Sequence, residues 1–303
     1  MTMEIRKVPV RRAITWLAEA INLGRANPRA IFGAALLMIS TLYGVLLVVA
    51  VISTAVSGAS SSSSLATKLA AMIPAFLVTV LALPVLMAGL LQVIRAAETG
   101  QPARARDLFQ ILRQPQAKRL AMLGLIHIAL GIAGALAVAL LAGGSYWDDY
   151  LSAVQTAAGG GSLVLPEPEH PQLIFVLQLV FNYISYAIML LGVPLITFSN
   201  AGLGDAVRSS LRASLLNIGA NVFGIVVFFA GMLLAALVIG LVGLLIVAVG
   251  NLVHPLIGSV LSVGLYLAFG TMLLVVLVGG AYAVWRDTFS TESDTPALTG
   301  FEA

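Results

Sequence analysis

Along this chain, long uninterrupted apolar runs alternate with short segments whose apolar residues recur every three or four positions. Six runs, at 31–56, 69–94, 120–142, 173–199, 222–249 and 255–285, are each long enough to cross hydrocarbon as a helix, which takes about 20 residues. None of them shows the polar–apolar alternation over about ten residues that a membrane-barrel strand carries. The pattern predicts an all-α integral membrane protein, a six-transmembrane-helix bundle occupying residues 1–287. The remaining segment, 288–303, is acidic, short of large apolar residues and expected to be a disordered tail.

The short segments precede the odd-numbered runs and carry the helical period in amphipathic form. At 12–26, Ile14, Leu17 and Ile21 oppose Arg11, Thr15, Glu19 and Asn22. At 103–113, Leu108, Ile111 and Leu112 oppose Arg106, Asp107, Gln110 and Arg113. At 204–216, Val207, Leu211 and Leu215 oppose Asp205, Arg208, Ser209 and Arg212. Aligned with one another, the three segments superpose Ile21, Leu108 and Leu211, then Asn27, Gln114 and Asn217, then Ala30, Ala117 and Ala220. The unit they suggest is a surface amphipathic helix followed by a helical hairpin, used three times in parallel rather than inverted orientation. Basic segments that serve only to orient the spans are the simpler account of the same residues. At the first joint, a residue before proline is pushed out of the α region, so Asn27 is expected to end one helix and cap the next, with Pro28 in its first turn. Asn217 is expected to cap in the same way, and Gln114-Pro115 to repeat the break.

Composition supports the membrane reading. Hydrophobic residues make up 60% of the 303 residues and charged ones 10%, against roughly 25% charge in a soluble domain, and the mean hydropathy is +1.03. The net charge of +3 does not point to nucleic acid, because the basic residues sit in short connections beside the spans. Fifteen of the 16 fall on the side of the two termini, and only Lys68 falls on the other. The positive-inside rule then puts both termini in the cytoplasm. The absence of cysteine excludes disulfides, thiolate metal sites and thiol nucleophiles.

The opening MEIRKVPVRRAITWLAEAINLGRANP resembles that of a family of proteobacterial six-span inner-membrane proteins of unknown function. Related groups, the YciC-like proteins among them, share the aromatic-containing juxtamembrane helix ending in Asn-Pro. The resemblance implies a bacterial inner membrane and brings no catalytic or binding residues with it.

Enzyme signatures are missing: there is no HExxH, GxSxG or Walker A pattern, and no Asp or Glu lies inside a predicted span. Nothing in the pattern calls for a cofactor or a bound metal. The acids of the long connection, Asp148, Asp149, Glu167 and Glu169 with His170, match no metal-site spacing. A polar pathway has candidate residues in His127 of the third span and Gln178, Asn182, Ser185 and Tyr186 on one face of the fourth. The same residues would serve as interhelical glue in a bundle without a path, and His127 is expected to pack against another span. In the fifth span Ala236, Gly240, Gly243 and Gly250 form a smooth packing seam. Lipid headgroups are expected to meet Arg12, Arg25, Arg106, Arg113, Arg208 and Arg212.

The pattern therefore favours a non-enzymatic multi-pass inner-membrane protein that binds a partner or organises lipid through its juxtamembrane helices. A transporter or channel for a small or amphiphilic solute is the alternative. The partners implied are membrane lipid with anionic headgroups on the cytoplasmic face, and a protein partner or second copy. A water-accessible cavity reaching His127, Gln178 and Asn182 would favour transport, and a sealed bundle the scaffold. Reporter fusions test the topology: fusions after Ser64 and Gly160 should read as external, and those after Gln101 and Ser209 as cytoplasmic. A cytoplasmic signal at Gly160 would overturn it.

Overall fold

The computed structural model describes residues 4–25, 27–56 and 65–289, and among these it is helical with no strand. Six helices are long and apolar enough to cross a membrane. They are α2 (Pro28–Val56), α3 (Leu65–Glu98), α4 (Gln116–Ala142), α6 (Pro171–Phe198), α8 (Ile218–Val253) and α9 (Pro255–Phe289). Shorter helices are α1 (Arg12–Leu23), a 3-10 helix (Ala105–Arg113), α5 (Tyr146–Ala158) and α7 (Leu203–Leu216). The serine-rich turn at 60–64 and residues 290–303 lie outside the described residues. Thr288 and Phe289, assigned to the tail from the sequence, complete the last turn of α9.

Both ends of the described chain meet at one end of the bundle, where Arg6 N donates to Thr288 O at 3.0 Å. The connections 99–115 and 199–202 return to this same end, called here the basic end. Nearly all buried side chains cluster toward it: Ile31 to Met38 at the start of α2, Val85 to Ala97 late in α3, Leu120 and Leu123 early in α4, Ala187 to Ile196 late in α6, and Val275 to Trp285 late in α9. At the far end the spans leave their apolar side chains uncovered, with Leu140 85% and Leu252 86% exposed. Such surface belongs in hydrocarbon, where it carries no hydrophobic penalty. The shared core thus lies at the basic end, and the far halves of the spans present most of their side chains outward.

Close approach is achieved with small residues and a proline. Pro84 lies inside α3 and has no N–H to give the carbonyl of Val80, one turn earlier. Gly124 of α4 packs against that carbonyl, where a Cβ would stand 2.7 Å from the oxygen. Gly89 of α3 lies against the backbone of the 3-10 helix, where a Cβ would collide with Leu108 O. The far half of the α8–α9 hairpin crosses at Gly250 and Gly258, and Gly243 receives Tyr266. Gly240 of the expected seam has nothing within 4 Å of its Cβ position.

The three short segments are structural parts of the bundle. Trp16 of α1 is 1% exposed between α8 and α9, against Gly224. Leu108 and Ile111 of the 3-10 helix are fully buried against α2 and α3. Ala206, Ser210 and Ala213 of α7 are fully buried, with α6 as the principal neighbour. Their orientation differs from the flat surface arrangement expected. Leu17 reaches Gly231, and Leu23 reaches Gly279, a position ten residues, or about 15 Å of helix, before the end of α9. On α7, Ser210 lies by Gly192, and Tyr183 of α6 donates to Ser214 O at 2.8 Å. Both helices run along spans: α7 turns small residues inward, and α1 sets Ala13 and Ala20 on either side of Trp16, which Gly224 receives. The aliphatic residues Ile14, Ile21, Leu112 and Leu215 point outward and are exposed.

The three joints also differ. Asn27 caps α2 as expected, its Oδ1 accepting from Ala30 N at 3.2 Å, but α1 already ends at Leu23 with Gly24 as its C-cap. Gln114 instead pairs with Gln92 of α3, Gln92 Nε2 donating to Gln114 Oε1 at 2.9 Å. Asn217 stands at the N-cap of α8, but its side chain does not cap: it accepts from Val8 N at 2.8 Å and donates to Arg6 O at 3.0 Å. The segment before α1 is not helical, so its backbone groups need partners, and Asn217 supplies them. The spans pair as hairpins α2–α3, α4–α6 and α8–α9, but α8 packs mainly on α9 and α1. The three units are not equivalent in packing.

The Gly89 contact predicts a contrast. Gly89→Ala should destabilise the purified protein by about 1–3 kcal/mol through overpacking. Gly44→Ala, with nothing within 4 Å of its Cβ position, should be neutral or slightly stabilising. Thermal unfolding in detergent checks both.

Candidate functional site

A cleft of about 620 Å³ opens between the far halves of α3, α4 and α6, with Trp147 of α5 among its lining residues. Its apolar walls include Phe76, Val80, Leu177 and Phe181. Its polar groups come from two helices. His127 stands on the α4 face that continues through Gly131, Gly134 and Val138. Gln178, Asn182 and Ser185 follow at the i, i+4, i+7 spacing of one α6 face. All of these line the cleft. Gly134 admits the Phe181 ring, which would lie 3.3 Å from a Cβ there, whereas Gly131 has nothing within 4 Å and leaves the space open.

The polar lining is unsatisfied by the protein. His127 Nδ1 is buried without a hydrogen-bond partner. Among the described residues, no side-chain hydrogen bond engages Gln178 or Asn182. A buried imidazole nitrogen without a partner costs several kcal/mol where water is absent, whereas Gln178 and Asn182 are exposed. The residues singled out from the sequence are therefore brought together, with one exception. Tyr186 lies off the cleft and packs on Tyr183, ring centroids 6.5 Å apart.

On the far side, α5 carries an aromatic cluster in which Tyr146, Trp147 and Tyr150 have ring centroids 5.5 to 6.2 Å apart. The connection returns to α4 where Glu169 N donates to Ala142 O at 3.1 Å, beside Gly143 at φ +99°. Among the described residues, no three His, Asp or Glu side chains come together as a cation site, so the acids of this connection are not gathered.

The other end of the bundle is closed by charge. Asp287 of α9 accepts from Arg12 Nε at 2.6 Å and from Trp16 Nε1 at 2.8 Å. Arg12 also meets Glu19 at 2.9 Å. Arg286, with its side chain 13% exposed, bridges Glu19 of α1 at 2.5 Å and Glu98 of α3 at 2.8 Å. Arg95 lies over the Phe198 ring at 4.9 Å, linking α3 to α6, and cation–π contacts of this kind strengthen when desolvated. Arg119 closes α6 by donating to the carbonyls of Asn200 and Ala201 at 2.9 and 2.7 Å, where a helix C-terminus favours a cation. The hydrogen bond to Asp287 raises the Arg12 guanidinium above its ordinary value, against the desolvation that lowers it.

This network was missed in the sequence because its partners lie up to 275 residues apart. The one available signal was the Arg286-Asp287 doublet at the end of the last span. The network also redefines the expected headgroup contacts. Arg12 is occupied by two protein carboxylates, whereas Arg25, Arg106, Arg113, Arg208 and Arg212 are exposed and form no ion pair among the described residues.

No family model, curated protein or solved structure matches the chain.

Removing Asp287 leaves Arg12 and the Trp16 N–H without their shared acceptor in a partly desolvated site. Asp287→Ala should therefore cost about 2–4 kcal/mol and lower the thermal midpoint. Arg208→Ala, at an exposed position without an ion pair, should change it little. Parallel melts of the two variants in one detergent make the comparison.

Proposed function

We propose that this multi-pass membrane protein binds an amphiphilic small molecule in the α3–α4–α6 cleft, as a binding or carrier protein without chemistry of its own. The observation that carries the reading is the buried, unpartnered Nδ1 of His127 in a largely apolar cleft that Gln178 and Asn182 also line. A ligand with a compact polar group and an aliphatic or aromatic body matches both parts of that surface. The polar group meets the imidazole and amides, while the body lies along Phe76, Val80 and Phe181. The volume lies within the range of small-ligand sites, roughly 300–1,000 Å³.

The setting we propose is a bacterial inner membrane, in keeping with the resemblance of the opening segment, with the basic end in the cytoplasm. The cleft then faces the outer half of the bilayer, and the ionic network closes the cytoplasmic side. A scaffold acting through its short helices has less support, because Trp16, Leu108 and Ile111 commit their inward faces to the bundle itself.

Tryptophan fluorescence in lipid nanodiscs tests the proposal, with 11-bromoundecanoate and 11-bromoundecanol as quenching amphiphiles. Trp147 lines the cleft, whereas Trp16 and Trp285 are buried toward the basic end. Quenching should saturate for the native protein, lose its saturable part in Trp147→Phe, and need at least tenfold more amphiphile in Gly131→Leu, which fills the open space. Quenching that rises linearly, or is unchanged in Gly131→Leu, would refute the site.

A further inference from the structure

The basic end compensates most of its buried or half-buried arginines and leaves its exposed arginines without ion pairs among the described residues. Arg12 and Arg286 meet carboxylates, Arg95 lies on aromatic rings and Arg119 on carbonyls. Four of these exposed arginines flank the place where the turn between α1 and α2 touches the segment leading into the 3-10 helix. Asn27 Nδ2 donates to Ala103 O at 3.4 Å, and a Cβ on Gly33 would stand 2.9 Å from Ala105 Cβ. These contacts bring Arg25 and Arg29 on one strand of chain beside Arg104 and Arg106 on the other. All four are exposed, and none forms an ion pair among the described residues. The nearest carboxylate in sequence, Asp107, is turned to its own segment, accepting from Arg104 N at 2.7 Å and Gln110 Nε2 at 2.8 Å.

Four like charges held together by packing repel one another unless an anion sits among them. Guanidinium groups suit phosphate oxygens best, because their paired N–H donors match the phosphate edge. Beside this cluster the surface is apolar and exposed: Ile21 at the end of α1, Phe32 and Leu36 along α2, and Leu112 of the 3-10 helix. A soluble phosphate would use only the charges. A phospholipid uses both, with its headgroup among the arginines and its acyl chains along α2.

From this juxtaposition we infer that the α1–α2 turn and the 103–106 segment form a binding site for an anionic phospholipid carrying two phosphates, of the cardiolipin type. Two phosphates answer four guanidinium groups in a way that one phosphate cannot. Basic pockets at the cytoplasmic ends of spans suit such headgroups. The site is independent of the cleft and stands whether or not the cleft binds a solute.

The test uses the full-length protein in detergent, with thermal shift and native mass spectrometry as readouts. Tetraoleoyl cardiolipin, dioleoyl phosphatidylglycerol at equal phosphate, phosphatidylcholine and inorganic pyrophosphate are the added ligands. Cardiolipin should raise the melting midpoint by several degrees more than phosphatidylglycerol does, and pyrophosphate and phosphatidylcholine should leave it unmoved. In Arg25→Gln/Arg29→Gln/Arg104→Gln/Arg106→Gln the cardiolipin adduct should fall at least fivefold. Arg208→Gln/Arg212→Gln, which removes exposed charge elsewhere on the same face, should keep it. If the fourfold variant does not fold, Arg25→Gln/Arg29→Gln and Arg104→Gln/Arg106→Gln should each lose at least half of the adduct. Equal shifts from the two anionic lipids, a shift from pyrophosphate alone, retention in the cluster variants, or equal loss in Arg208→Gln/Arg212→Gln would each overturn the site.

Discussion

The carboxylate of Asp287 holds the indole of Trp16 and the guanidinium of Arg12 against the end of the last span, and much of the architecture depends on that contact. It seats α1 between α8 and α9, where Ala13, Trp16 and Ala20 are almost fully enclosed. Through Glu19 and Arg286 it extends to Glu98, and so to α3. Charges this far from water are costly alone, and removing one partner leaves the other uncompensated. The network therefore acts less as a source of net stability than as a constraint on which helices may meet at this end. It ties α1, α3 and α9 together, and within it Glu98 Oε2 stays buried without a partner.

Closing one end this tightly shapes the other. Trp16, Leu108 and Ile111 fill the space between spans at the basic end, so the core there is completed by short helices as well as by the spans. Nothing equivalent fills the space between the far halves of α3, α4 and α6, although α8 and α9 stay in close contact at Gly250 and Gly258. In water such a gap between apolar helices would collapse, but lipid tails are as apolar as the side chains they meet. The gap is thus permitted by the solvent, and the cleft between α3, α4 and α6 is its product. Its polar residues keep an imidazole and two amides available at a depth where proteins ordinarily pair such groups.

The same division separates the arginines. Those drawn into the closed end are neutralised by the protein, while those on the outer turns remain exposed. Residue type and neighbourhood in sequence do not distinguish Arg12 from Arg25. Position on the helix does: Arg12 falls on the side of Trp16 and Glu19, facing α9, while Arg25 follows the last turn and is left in the open.

Span number, helix type and the asymmetry of charge were legible in the sequence because each is a local property. Twenty apolar residues in hydrocarbon must satisfy their backbone internally, and a helix is the only single-segment way to do so. The polar face of α6 was legible for the same reason, since Gln178, Asn182 and Ser185 are related by helical period alone. What lay beyond the sequence was every relation between distant segments. Ile14 and Ile21 read as the apolar face of a surface helix, yet the residues of α1 enclosed against α8 and α9 are Ala13, Trp16 and Ala20. Asn217 read as a helix cap, yet the backbone of Arg6 and Val8, more than 200 residues away, claimed its amide. The sequence by itself determined that six helices would enter a membrane and which residues they would carry. Only the tertiary structure decided that they would share a core at one end and leave a cleft at the other, because that depends on which small residues, rings and charges meet across the bundle.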